Sequence, residues 1–152
     1  MSIGVFPYVV SVPLACLVGF LCYNFGMDKK KLLTLLERET VMVWDTLCEI
    51  YTPLVSYDPP KLELNPYNWR TAGLCFQEEN RVQLAYKFFK HGNKTFNYMV
   101  DVILPHELAH QADWFLHGES EKICGHGEKW REIMVNLGLK PNPFHSMEIP
   151  RK

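Results

Sequence analysis

Residues 105–130 read PHELAHQADWFLHGESEKICGHGEKW. Four histidines fall within 21 positions: His106, His110, His117 and His126. His106, Glu107 and His110 form the pattern H-E-x-x-H. Residues i and i+4 of an α-helix share one face, about a turn apart. Two imidazoles so placed can converge on one ion at about 2.0–2.1 Å. Glu107 then stands beside the ion's open position, as general base toward a zinc-bound water. The plain alternative is a polar helix face. A catalytic zinc takes three protein ligands and keeps a fourth position for water, so the pattern raises the question of the third ligand.

His117 lies seven residues beyond His110 on the same helical face. Seven residues rise about 10.5 Å, too far for one ion unless the helix breaks first. One extended zinc motif does break there, with a glycine three residues after the second histidine and a third histidine three residues later. Here the glycine position is Asp113, and His117 comes one residue too late. His126 fits better. It follows a loop, lies between Gly125 and Gly127, and opens a further helix whose Trp130, Ile133 and Met134 can pack against the first. Glycines allow tight turns and close backbone approach. Glu128 and Glu132 on that second helix are the alternative third ligands.

The rest of the chain sets limits. At 152 residues it is expected to be one domain. With 47% hydrophobic and 22% charged residues it is globular in composition. Net charge is −1, with the longest basic run only Lys29-Lys30-Lys31, so charge does not support nucleic-acid binding. Five cysteines without a CxxC pair argue against a disulfide framework and a cysteine zinc ribbon. Reduced thiols in the cytoplasm are the simpler expectation.

Residues 1–26 form a separate segment without charge from Ser2 to Met27. Val5 to Tyr23 is long enough to cross a bilayer, which needs about 20 apolar residues. The lysines that follow would stay inside and so place the domain in the cytoplasm. A membrane anchor, a mis-assigned extension ahead of Met27, and a segment packed on its own domain all fit this stretch. The domain proper is expected over 27–152. It opens with an amphipathic helix in which Leu32, Leu35, Leu36, Val43, Leu47 and Ile50 recur at helical steps. Lys61–Asn65, Thr71–Gln77 and Arg81–Tyr86 read as strands, the last two as an antiparallel hairpin. A helix follows from about Phe96 to about Leu116, which Pro105 should kink or restart. Gly118 ends it. A last helix runs from about Gly127 to Leu137.

HELAH, followed after about 15 residues by GHG and then Trp130, resembles the SprT family, which includes the Spartan-type zinc metallopeptidases. The upstream order is similar as well: a helix, a small antiparallel sheet with an AG-aromatic strand (Ala72-Gly73 to Phe76), then the metal helix. The resemblance covers roughly Leu32 to Leu139. It implies an α+β, zincin-like fold and a zinc endopeptidase with ligands His106, His110 and His126 and catalytic Glu107. Some members cleave proteins crosslinked to DNA and are activated by DNA. The chain shows no cysteine-rich ribbon or basic tail for that role, so DNA-associated substrates are a weaker implication than protein substrates.

Substrate is expected to lie extended along a sheet edge, provisionally Arg81–Tyr86. His117 is expected at the solvated helix end or the cleft rim. Asp113 is expected to bind a ligand imidazole or to be an exposed carboxylate. His91 and His145 read as loop residues, and Trp44, Trp69, Trp114 and Trp130 as packing. The rival function is a zinc-stabilised binding module that recruits a protein or DNA partner without cleavage.

Overall fold

Asp28 opens helix α1 (Lys29–Ile50), its carboxylate accepting from the Lys31 N–H at 2.8 Å. Such a cap satisfies one of the unpaired donors at a helix start. The computed structural model describes residues 27–68, 70–118, 125–145 and 147. The apolar segment 1–26, with all three of its readings, lies outside them, as does Trp69. Among the described residues no helix is long and apolar enough to cross a membrane. α1 buries Leu32, Leu36, Thr40, Trp44 and Leu47, one face at helical spacing. The Thr40 hydroxyl donates to the Leu36 carbonyl at 2.8 Å, so its burial leaves no polar atom unmet. Beyond a 3-10 turn (Thr52–Ser56), the Tyr57 carbonyl accepts from Trp44 Nε1 at 3.2 Å, and its ring stacks on Phe115 at 4.0 Å.

The sheet comprises β1 (Lys61–Asn65), β2 (Gly73–Phe76) and β3 (Arg81–Ala85), in the order β1-β3-β2. β2 and β3 form the expected hairpin. A 3-10 turn (Gln77–Glu79) joins them, closed by Asn80 at φ 45°, a left-handed geometry that asparagine tolerates. The sheet is mixed, however, and not antiparallel throughout: β1 pairs parallel with β3. This register sets Leu62 opposite Val82 and Leu64 opposite Leu84, all four buried. A one-residue slip would turn that apolar set to solvent. β3 is therefore central, with both edges paired, and cannot receive a substrate strand along Arg81–Tyr86. The unpaired edges among the described residues belong to β1 and β2.

The next helix runs from Asn93 to His117 in three parts: α2 (Asn93–Tyr98), a π turn (Met99–Ile103) and α3 (Leu104–His117). Pro105 has no N–H to return to the turn before it. A new α-helix, α3, starts at Leu104 with Pro105 in its first turn, and the chain does not break there. The Leu104 N–H reaches back five residues to the Met99 carbonyl, the widened turn of a π-bulge, and Ile103 and Leu104 keep helical dihedrals. α3 buries Leu104, Leu108, Ala109 and Ala112, together with the polar His106, Glu107, Gln111 and Asp113. It ends at Gly118, and α4 (Glu128–Asn136) sends Trp130, Ile133 and Met134 into the same core. The result is an α+β fold in which the H-E-x-x-H helix packs between α1, β2 and α4.

Candidate metal centre

α3 presents His106 and His110 one turn apart, and the loop entering α4 brings His126 to them. Their Nε2 atoms form a near-equilateral triangle, with sides of 3.0 Å (His106–His126), 3.1 Å (His110–His126) and 3.2 Å (His106–His110). Each ring nitrogen of a neutral imidazole is either donor or acceptor. Three such nitrogens cannot all bond one another, because at least one pair must share a role. A shared cation satisfies all three at once. Tetrahedral ligands at about 2.0–2.1 Å from zinc lie about 3.3–3.4 Å apart, a few tenths of an ångström from the sides observed. The three histidines thus form a group that could hold a metal ion.

Several contacts hold these rings. Trp130, fully buried, lies against all three, with ring centroids 4.7 Å from His106, 5.3 Å from His110 and 4.5 Å from His126. The Gly125 backbone hydrogen-bonds the His110 ring, the kind of outer contact that fixes a ligand's tautomer. Gly125 sits at φ +66°, and a Cβ there would lie 3.3 Å from His110 Cε1 and Nδ1. Only glycine meets both demands without strain. Arg131 Nε donates to the His126 carbonyl at 3.3 Å.

Burial pushes His106 down to about 2, helped by repulsion from the neighbouring imidazoles. Burial likewise takes His110 down to about 3, with His126 adding to the shift and the Gly125 hydrogen bond opposing it. His126 is lowered by burial and by Arg131. All three rings are therefore neutral at neutral pH, the form that ligates metal. Burial pushes Glu107 the other way, up to about 8. A cation in the cleft favours its charged form.

Glu107 and His106 line a cleft of about 430 Å³ with His126, Gly73, Phe88 and His145. β2 comes very close: a Cβ on Gly73 would sit 2.7 Å from Glu107 Cγ and Oε1. Gln111 clamps this approach, its Nε2 donating to the Gln77 carbonyl at 3.1 Å and its Oε1 accepting from Cys75 Sγ at 3.5 Å. Gln77 Nε2 in turn donates to the His110 carbonyl at 3.1 Å. Burial, and then the Glu107 charge, raise the Cys75 thiol well above its ordinary range, so it is an inert packing group.

Other expectations fare unevenly. Glu128 and Glu132 are exposed on α4, outside the three-histidine group. His117 also lies outside it. Its Nδ1 meets Asp113 Oδ1 at 2.7 Å. Asp113 is 1% exposed, so it is neither a partner of a ligand imidazole nor a surface carboxylate. Its position on α3 turns it inward, where His117, one turn on, reaches it. Trp44 and Trp130 are core residues, as expected, and His91 is exposed. His145 is the residue that sequence reasoning missed. Its ring centroid lies 4.3 Å from that of His106, and its Nδ1 is 3.2 Å from the Tyr98 hydroxyl. It sits in an irregular segment among prolines, with no periodicity to reveal the contact.

The SprT-like family model matches residues 58–148. Among curated proteins, Protein SprT of Klebsiella pneumoniae (strain 342) is 30% identical over 80 residues, 52% of this chain and 45% of that one. Protein SprT of Escherichia coli (strain K12) is 29% identical over 97 residues, 62% of this chain and 53% of that one. The chain thus spans about half the length of the curated relatives it matches. No solved structure gives a significant match.

Proposed function

Because the chain belongs to the SprT-like family, we propose that it is a zinc metallopeptidase in which His106, His110 and His126 hold the metal and Glu107 is the general base. The observation that carries this reading is the Nε2 triangle together with a buried carboxylate on the same helix, opening on one cleft. When bound, zinc supplies Lewis acidity to a water and to a substrate carbonyl.

The chain's own residues supply the rest. Glu107 accepts a proton from the attacking water and returns it to the leaving amine. Burial aids the first task, because a desolvated carboxylate holds a proton better than one on the surface, while the cation keeps it charged until the water arrives. The free edge of β2, pressed against Glu107 at Gly73, offers a place for an extended peptide to add as a strand. Ala85 N–H donates to the Ala72 carbonyl at 2.9 Å, and the antiparallel ladder alternates from there. The N–H and C=O of Gly73 and Cys75 consequently face away from β3. These are the groups a substrate backbone would meet. Phe88, Phe144 and Met147 in the cleft wall suit an apolar side chain. Cys48 and Cys75 are free thiols, in keeping with a reducing compartment. With net charge −1, which gives no bulk attraction for phosphates, peptides without DNA are the first substrates to test.

Glu107→Gln decides between peptidase and non-catalytic binding module. It should retain zinc and lose cleavage by about 10²-fold or more. Equal cleavage by the zinc-loaded wild type and Glu107→Gln, self-cleavage included, overturns the reading.

A further inference from the structure

His145 and Arg70 are the titratable side chains of the cleft that neither the metal triangle nor the proton transfer uses, and of the two only His145 lies against a ligand ring, its centroid 4.3 Å from that of His106. It is not placed as a fourth ligand, because its nitrogens fall outside the group whose donor atoms lie within 4.8 Å of one another. Its ring nevertheless lines the same cleft as Glu107, His106 and His126. Its two nitrogens have different surroundings. Nδ1 lies 3.2 Å from Tyr98 Oη. Nε2 is buried and has no hydrogen-bond partner among the described residues.

The pairing with Tyr98 suggests the tautomer. A phenol is the better donor of the two groups, and an unprotonated imidazole nitrogen is the better acceptor. With the Tyr98 hydroxyl donating to Nδ1, the ring proton resides on Nε2. That leaves a buried N–H donor without an acceptor, an unfavourable state in the folded chain. A donor kept unmet beside a reaction site calls for an acceptor that arrives later.

We propose that His145 is a further catalytic residue, whose Nε2–H donates to the substrate carbonyl oxygen while Tyr98 holds the ring in that tautomer. This rests on the peptidase reading above. As water oxygen bonds to the peptide carbon, the carbonyl π pair moves onto its oxygen, and that growing negative charge is what a preset N–H donor stabilises. His145 takes no proton in this role. Glu107 keeps the transfer. Tyr98 acts through His145 and is a positioning residue. It lies one residue ahead of the π turn, so the helical run that carries His106 and His110 also carries the group that orients the donor.

The test compares zinc-loaded wild type, His145→Ala, His145→Gln and Tyr98→Phe. Zinc per chain should be unchanged in all four. His145→Ala should lose about 10²-fold in kcat with little change in KM, and the affinity of a phosphinic peptide, whose anionic oxygens imitate the tetrahedral stage, should fall in parallel. His145→Gln keeps an N–H donor and should recover part of both losses. In Tyr98→Phe, nitrogen-15 spectra should show the His145 tautomer mixture shifting away from Nε2–H. Loss of zinc from His145→Ala would make it a ligand and overturn the proposal. So would a His145→Ala protein with the kcat and phosphinic peptide affinity of a wild type that cleaves peptides. A zinc-loaded wild type that cleaves nothing overturns the peptidase reading itself, and this role with it.

Discussion

At the scale of single residues, the site turns on which histidines meet and which do not. His126→Ala should lose zinc, and His117→Ala should keep it, as metal analysis per chain will read. His117→Ala should also cost about 1–3 kcal/mol in urea unfolding, because it removes the hydrogen-bond partner of the buried Asp113 carboxylate. The three-histidine set was legible in the sequence for a simple reason. Rise per residue rules out His117 on an unbroken helix, and glycines around His126 permit the close approach that Gly125 in fact makes to His110. Asp113 and His145 were not legible. Whether a carboxylate on a polar-looking helix turns inward depends on the neighbouring layer. Whether an irregular segment passes over a cleft depends on contacts remote in sequence, here between Tyr98 and His145.

At the scale of elements, helix positions were readable from the 3.6-residue period, and α3 ends at His117, with Gly118 capping it, as expected. Pro105 marks the helix restart at Leu104, but the π turn before it has no signature in the apolar pattern. Strand pairing was only half readable. A short polar link announces a hairpin, as between β2 and β3, but nothing local announces that β1 pairs parallel with β3. That pairing decides the edge a substrate can use. The β2 edge is held to the ligand helix through Gln111 and Gln77. Gln111→Leu removes both bonds of the Gln111 amide and leaves the Gln77 carbonyl unmet. It should raise KM several-fold in peptide cleavage while zinc content stays at the wild-type level, at a cost in stability of about 1–3 kcal/mol.

At the scale of the whole molecule, the centre is a set of buried ionisable groups whose protons couple to folding. In zinc-free protein, His106 and His110 stay neutral in the fold down to about 2 and 3, whereas in the unfolded chain they take up protons near pH 6.5. Their contribution is present above that pH and is lost as pH falls toward 3. Glu107 acts in the opposite sense. It keeps its proton in the fold up to about 8 and loses it near pH 4.3 when unfolded, so its contribution fades as pH rises toward 8. Two groups outweigh one below pH 6.5, and Glu107 acts alone above it. Urea unfolding of the zinc-free protein across this range should show greatest stability near pH 6.5, and Glu107→Gln should flatten the alkaline limb. Zinc, binding only the folded chain, should raise stability at every pH where the imidazoles are neutral. The indole of Trp130 lies against all three imidazoles. Its fluorescence responds to the charge and rigidity of what surrounds it, so filling or emptying the triangle alters its emission. The molecule carries its own optical gauge of occupancy, readable without label, substrate or turnover.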